Sequence, residues 1–138
     1  MYYFLTASKD TTLFSQQPTQ NTGLDEILEV SKVYYGDLKD TARTLIKFDI
    51  DTVSASLASG AVTMSAAELI LKETEPSEIP LAYSLYINPI SQSWEMGVGT
   101  RFDNITIDGA TWNYRTSGSK WLPTEVPNGG LATGSYAG

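Results

Sequence analysis

From Arg43 to Ile50 the chain alternates, with Ile46, Phe48 and Ile50 apolar and Lys47 and Asp49 charged. That period of two belongs to a strand with one wet face and one buried face. β-branched and aromatic residues at the inward positions suit a pleated surface. The sequence therefore predicts a strand over residues 43–50, with Ile46, Phe48 and Ile50 inward and Phe48 in the core. The rest of the chain reads as built around this strand.

Short strand signals flank it on both sides. Residues 2–5 and 11–14 read as strands, and the polar stretch 16–23, punctuated by Pro18 and Gly23, reads as the loop after them. Residues 27–33 make a third strand with Leu28 and Val30 inward, and residues 36–40 turn the chain into the central strand. Asp51 is placed to cap the one helix expected, which runs to Ser59 and closes at Gly60. Residues 67–72 place Ala67, Leu69 and Leu71 on one face. Residues 81–87 do the same with Leu81, Tyr83, Leu85 and Ile87. Residues 105–107 and 111–115 are shorter extended pieces. Several short strands with turn signals between them, and no βαβ alternation, predict an all-β antiparallel β-sandwich with one short crossover helix.

Composition removes most catalytic classes. The 138 residues suffice for a single domain, 1–138, with its own core. They include neither Cys nor His, which excludes disulfides, thiol nucleophiles, Cys/His zinc sites and Ser-His-Asp triads. An enzyme would have to rest on carboxylates such as Asp49 or Glu95, yet no two carboxylates stand at a readable spacing. No enzyme activity and no cofactor are expected. The one metal to consider is Ca²⁺, held by oxygen ligands from Asp10, Asp49, Asp51, Asp103 and Asp108, without EF-hand spacing. A formal net charge of −7 opposes nucleic acid and anionic membranes as partners, and no apolar run reaches bilayer length.

The aromatics remain. Trp94 and Trp112 read as core fillers, the usual place for large rings. Tyr34 and Tyr35, beside a turn, read as exposed and as the candidate carbohydrate-binding residues. Asn104-Ile105-Thr106 matches a glycosylation sequon, a pattern short enough to arise by chance.

Several segments fall in an order met elsewhere. They are Lys9-Asp10-Thr11, Glu29-Val30, the 43–50 strand with its Lys47-Phe48-Asp49, and Ala67-Glu68-Leu69-Ile70-Leu71. Ser93-Trp94-Glu95 and Ala110-Thr111-Trp112-Asn113-Tyr114-Arg115 follow. Over residues 7–123 the chain resembles the DNRLRE, or disaggregatase-related, β-sandwich module, which is similar to carbohydrate-binding modules of family 96. The stretch 96–105 departs from the acidic or Thr-rich run usual there. The resemblance implies a jelly-roll-like sandwich of the kind found on secreted and cell-surface proteins and on virus particles, structural in many members and polysaccharide-binding in some.

The expectation is then a non-catalytic structural or adhesion module of a virus particle. In a tailed phage this is a neck, fibre or capsid-decorating component, located in the virion and partnered by other virion proteins or identical copies. A Met1 start without a basic n-region fits release by assembly rather than by a signal peptide. The rival is an extracellular carbohydrate-binding module of a larger polysaccharide-acting protein, with Tyr34 and Tyr35 against the polysaccharide. The Pro/Gly-rich tail, residues 123–138, has too few apolar residues for two closing strands. A longer polypeptide or a neighbouring chain is therefore expected to supply them.

Overall fold

A computed structural model describes residues 2–74 and 82–122. The fold is all-β, with antiparallel sheets and one short helix. In chain order the elements are β1 (Ala7–Phe14), β2 (Ser31–Tyr35), β3 (Leu38–Phe48), α1 (Asp51–Ala58), β4 (Tyr114–Thr116) and β5 (Ser119–Lys120). The first three strands form a sheet in the order β1-β3-β2, and β4 and β5 form a hairpin of their own.

The central strand is where the sequence puts it, but longer. It begins at Leu38, so the expected turn at 36–40 shrinks to Gly36-Asp37, with Tyr35 paired to Leu38 across it. Gly36 has φ 62°, the left-handed conformation that a two-residue hairpin loop needs at its first position. On the other side β1 pairs with β3 from Phe14↔Ala42 back to Lys9↔Lys47, and after a register shift between Lys9 and Ala7 ends at Ala7↔Phe48. β1 therefore starts earlier than the expected residues 11–14.

The register corrects the expected face. Strand alternation sets Lys9, Thr11 and Leu13 beside Arg43, Leu45 and Lys47 on one side of the sheet. That side carries the core, in which Leu13 and Leu45 meet Trp94, Ala110 and Trp121, with Ile90, Met96 and Trp112 packed around them. Leu45, not Phe48, is the β3 residue buried in this core. Ile46 and Phe48 lie on the opposite side, only half-buried, and Ile50 is exposed past the strand's end. Alternation identifies the strand but cannot say which face the rest of the chain will cover. Here two charged residues flank the buried one, and their long side chains reach out past it. Burying Leu13 and Leu45 contributes roughly 1.5–3 kcal/mol each.

The opposite side is covered by loops. Phe14 and Ala42 are buried there. The Arg101 guanidinium lies 4.2 Å from the Phe14 ring centroid and pairs with Glu29. Glu29 donates its N–H to the Thr12 hydroxyl (3.0 Å), and its carbonyl accepts from the Thr44 hydroxyl (3.0 Å). The sequence predicts a strand over residues 27–33 here, with Leu28 and Val30 inward. In fact β2 starts at Ser31, Leu28 is half-buried and Val30 is exposed.

Helix α1 forms where expected, with one correction at its start. Asp51 is its first residue, not its cap, and the cap position is Ile50, which makes no side-chain bond. Asp49 does the work instead, its Oδ1 accepting the Asp51 N–H at 3.2 Å. Gly60 closes the helix, donating its N–H to the Leu57 carbonyl.

Three expected strands are not formed among the described residues: 2–5, 67–72 and the part of 81–87 that begins at Ala82; residues 105–107, expected as a short extended piece, join no ladder either. Leu81 lies outside the described residues, as does the tail 123–138. Strand propensity is only a fit to a pleated, half-buried surface. Without a neighbour to pair with, an alternating segment has no ladder to join.

Candidate functional site

Two places concentrate unusual chemistry: a buried polar node and the β2 edge. The node grows from the polar loop of residues 16–23. Asn21 is fully buried, 0% exposed, and its side chain uses every hydrogen-bonding position it has. Nδ2 donates to the carbonyls of Met96 (2.7 Å) and Ala110 (2.8 Å), and Oδ1 accepts from the N–H groups of Gly99 (2.8 Å) and Gly23 (3.2 Å). An amide offers two donors and two lone pairs, so the group is saturated. Its own N–H donates to the Thr106 carbonyl at 2.8 Å. One side chain thus ties loop 20–23 to segments 96–99 and 106–110.

The packing around Asn21 requires glycine. Gly97 has φ 79°, and a Cβ there would run into the Asn21 side chain; a Cβ on Gly109 would strike the backbone of Gly97. Beside Asn21, the Thr22 hydroxyl serves the outer edge of β1. It accepts the Thr12 N–H (3.1 Å) and donates to the Thr12 carbonyl (2.7 Å), while the buried Thr11 hydroxyl lies 3.3 Å away. A side chain here fills the place of a missing strand and leaves that part of the edge satisfied. No buried polar side-chain atom lacks a partner among the described residues. The node is a device of architecture: nothing in it is left over to touch a ligand.

The β2 edge is the opposite. Tyr34 and Tyr35 are 62% and 67% exposed. As neighbours on one strand they point to opposite sides of the sheet, so they do not share one stacking platform. Tyr34 lies on the side of Lys32, whose Nζ is 5.8 Å from its ring centroid, and is paired with Lys39. Tyr35 lies on the side of Val33 and of its exposed pair partner Leu38.

The register sorts charge in the same way. Lys9, Lys32, Lys39, Arg43 and Lys47, five of the chain's nine basic residues, share the Tyr34 side, while Asp10 and Asp40 share the other. On the basic side Lys9 bridges to Glu95 at 3.0 Å, donates to the Trp94 carbonyl at 3.1 Å and lies 5.9 Å from the Trp94 ring centroid. Arg43 stacks over Trp112 at 5.1 Å. Partial burial pushes the Arg43 pKa down, but a guanidinium stays charged in proteins. Trp94 is in the core and Trp112 half-buried against it, as large rings usually are.

The remaining candidates are dispersed. Glu95 is held by Lys9, and Asp49 by the start of α1. Asp103 accepts from the Thr100 hydroxyl and Asp108 from the Val98 N–H. The five aspartates considered for Ca²⁺ do not converge, and no cluster of three acidic residues able to hold a metal occurs among the described residues. No described helix is long and apolar enough to cross a membrane. Asn21 and Arg101 were missed in the sequence. The signal for Asn21 lies in the spacing Gly97-x-Gly99 and in the pair Asp108-Gly109, glycines where its side chain and backbone approach closely; no sequence signal marks Arg101.

Comparison with known proteins adds no relative: no family model matches the chain, and neither does any curated protein or solved structure.

Proposed function

We propose that this chain is a non-catalytic structural or adhesion module of a virus particle, a tailed-phage component of the neck, fibre or capsid-decorating kind, with a jelly-roll-like sandwich related to the DNRLRE and family 96 modules. The observation that carries the reading is the apolar surface. Tyr86, Ile70 and Phe102 are 87%, 81% and 90% exposed, and many more large apolar residues are exposed along residues 24–38, 64–71 and 83–107. Exposed apolar surface on this scale marks a chain that meets other protein. A particle component has such neighbours on several sides. The test is to purify particles from a host carrying the gene and label them with antibody against the chain. Regular labelling at one position on the particle supports the reading, and particles without the protein overturn it.

The second reading is an extracellular carbohydrate-binding module. Its support is Tyr34, exposed on the basic side of the sheet beside Lys32 and Lys39. A glycan array tests it. Micromolar binding lost on Tyr34→Ala or Tyr35→Ala favours this reading, and absence of binding removes it.

A further inference from the structure

Residues 83–90 carry no helix, turn or ladder, and no backbone hydrogen bond is made by residues 83–91 among the described residues. Yet 83–87 has the composition of a strand. Tyr83, Leu85 and Ile87 alternate with Ser84 and Tyr86, and Pro89 ends the run. Tyr83, Leu85, Tyr86 and Ile87 are all more than half exposed. A short window of high strand propensity, with no charge and no proline, is the composition that seeks pairing with another chain.

Charge picks out the partner. Each copy carries a formal net charge of −7, so two copies repel each other on balance. From Ala82 to Trp94 there is no charged side chain, so copies meet there without that penalty. An antiparallel strand pair is also its own complement: about a twofold axis, residue i meets j and j meets i.

We propose that residues 83–87 form an antiparallel two-strand contact with the same residues of a second copy, centred on Leu85, with Tyr83 of each copy opposite Ile87 of the other. The area bounds the affinity. At 150–250 Å² for a large aromatic side chain, the four exposed apolar residues present on the order of 500 Å² per copy. Tyr86 faces away from Tyr83, Leu85 and Ile87 on a strand, so two copies bury at most about 1,000 Å², the threshold of a specific interface and the weak end of its range. The dimer is accordingly concentration-dependent. The proposal gives a partner to the exposed segment and stands whether or not the protein belongs to a virion.

The chain has no cysteine, so one introduced thiol is a unique reporter. Residues facing each other across a twofold strand pair lie within the ~4.4–6.8 Å Cα separation a disulfide needs. Leu85→Cys is therefore expected to give a disulfide-linked dimer under mild oxidation, and Ser59→Cys, exposed at the end of α1, is expected not to. Sedimentation of the unmodified chain is expected to move from its monomer mass of 15.1 kDa towards twice that value as concentration rises. Leu85→Lys, at an exposed position, is expected to hold it at the monomer mass with an unchanged circular dichroism spectrum. A monomer at every concentration overturns the proposal, and so does a dimer that Leu85→Lys leaves intact or a Leu85→Cys protein that cross-links no faster than Ser59→Cys. A monomeric result would leave the particle-labelling experiment unaffected, so the two readings fail separately.

Discussion

Compare the loop around Asn21 with the segments 64–71 and 83–87. In the first, polar residues are buried and the backbone passes so closely that only glycine fits. In the second, leucine, isoleucine and tyrosine face outward, and no ladder forms among the described residues. The usual distribution is inverted in both places. A polar group can be buried when its bonds are complete, as those of Asn21 are. An apolar strand can be exposed when its partner lies in another molecule. Hydropathy alone would place the core in the second region. The hydrogen-bond inventory places the organising contact in the first.

The largest expected effect tests that contrast directly. Asn21→Ala removes four side-chain hydrogen bonds, leaving the Met96 and Ala110 carbonyls and the Gly99 and Gly23 N–H groups without this partner. A buried unsatisfied group costs about 1–3 kcal/mol, so a total of about 4 kcal/mol is expected. That is most of the stability of a marginal domain. Urea denaturation measures it, and a loss below about 1 kcal/mol would show that the node does not organise the fold. By contrast, Tyr86→Ser in the exposed stretch should leave the stability of the isolated monomer within roughly half a kcal/mol.

Next come the two faces of β3. Leu45→Ala should cost roughly 2–5 kcal/mol, as a buried Leu truncation does. Phe48→Ala, at a half-buried position, should cost about half of the ~3–5 kcal/mol of a fully buried ring. A reversed order would restore the face that alternation alone suggested. Smaller still, Gly97→Ala forces a Cβ into a φ of 79° and against Asn21. Strain of this kind costs on the order of 1–3 kcal/mol. If Gly97→Ala were made on an Asn21→Ala background, the steric part should disappear, leaving only the backbone part. A double-mutant cycle reads that difference.

What the sequence made legible was local. The pattern over residues 43–50 located β3 without its first residues, the turn signal over 36–40 placed its hairpin though not its length, and Gly60 marked the end of α1, because each depends on residues within a few positions of each other. The choice of Leu45 over Phe48 depends on Trp94 and Trp121, far along the chain, and no local period reports them. Asn21 was illegible for the same reason: its partners lie at Met96, Gly99 and Ala110, and a lone Asn in a polar loop looks like any turn residue. The exposure of Tyr34 and Tyr35 was readable from the turn beside them. Their division between two sides of the sheet follows from strand geometry once β2 is located.

The smallest expected effect sits at the end of the sheet, where both regions are out of reach. Lys9 and Lys47 are directly opposite each other on β1 and β3. Like charges so placed are mildly destabilising. Lys9 is drawn aside by Glu95 at 3.0 Å and by the Trp94 carbonyl, while Lys47 is exposed. The repulsion left between them is screened by water and salt. Lys47→Glu should therefore shift stability by roughly half a kcal/mol or less, in the stabilising direction, since it replaces a like pair with an opposite one. The gain should shrink between low and high salt, which paired urea titrations at two ionic strengths would detect. A loss of several kcal/mol would mean that Lys47 is covered as Leu45 is, and that the basic side of the sheet is an interior face along its whole length.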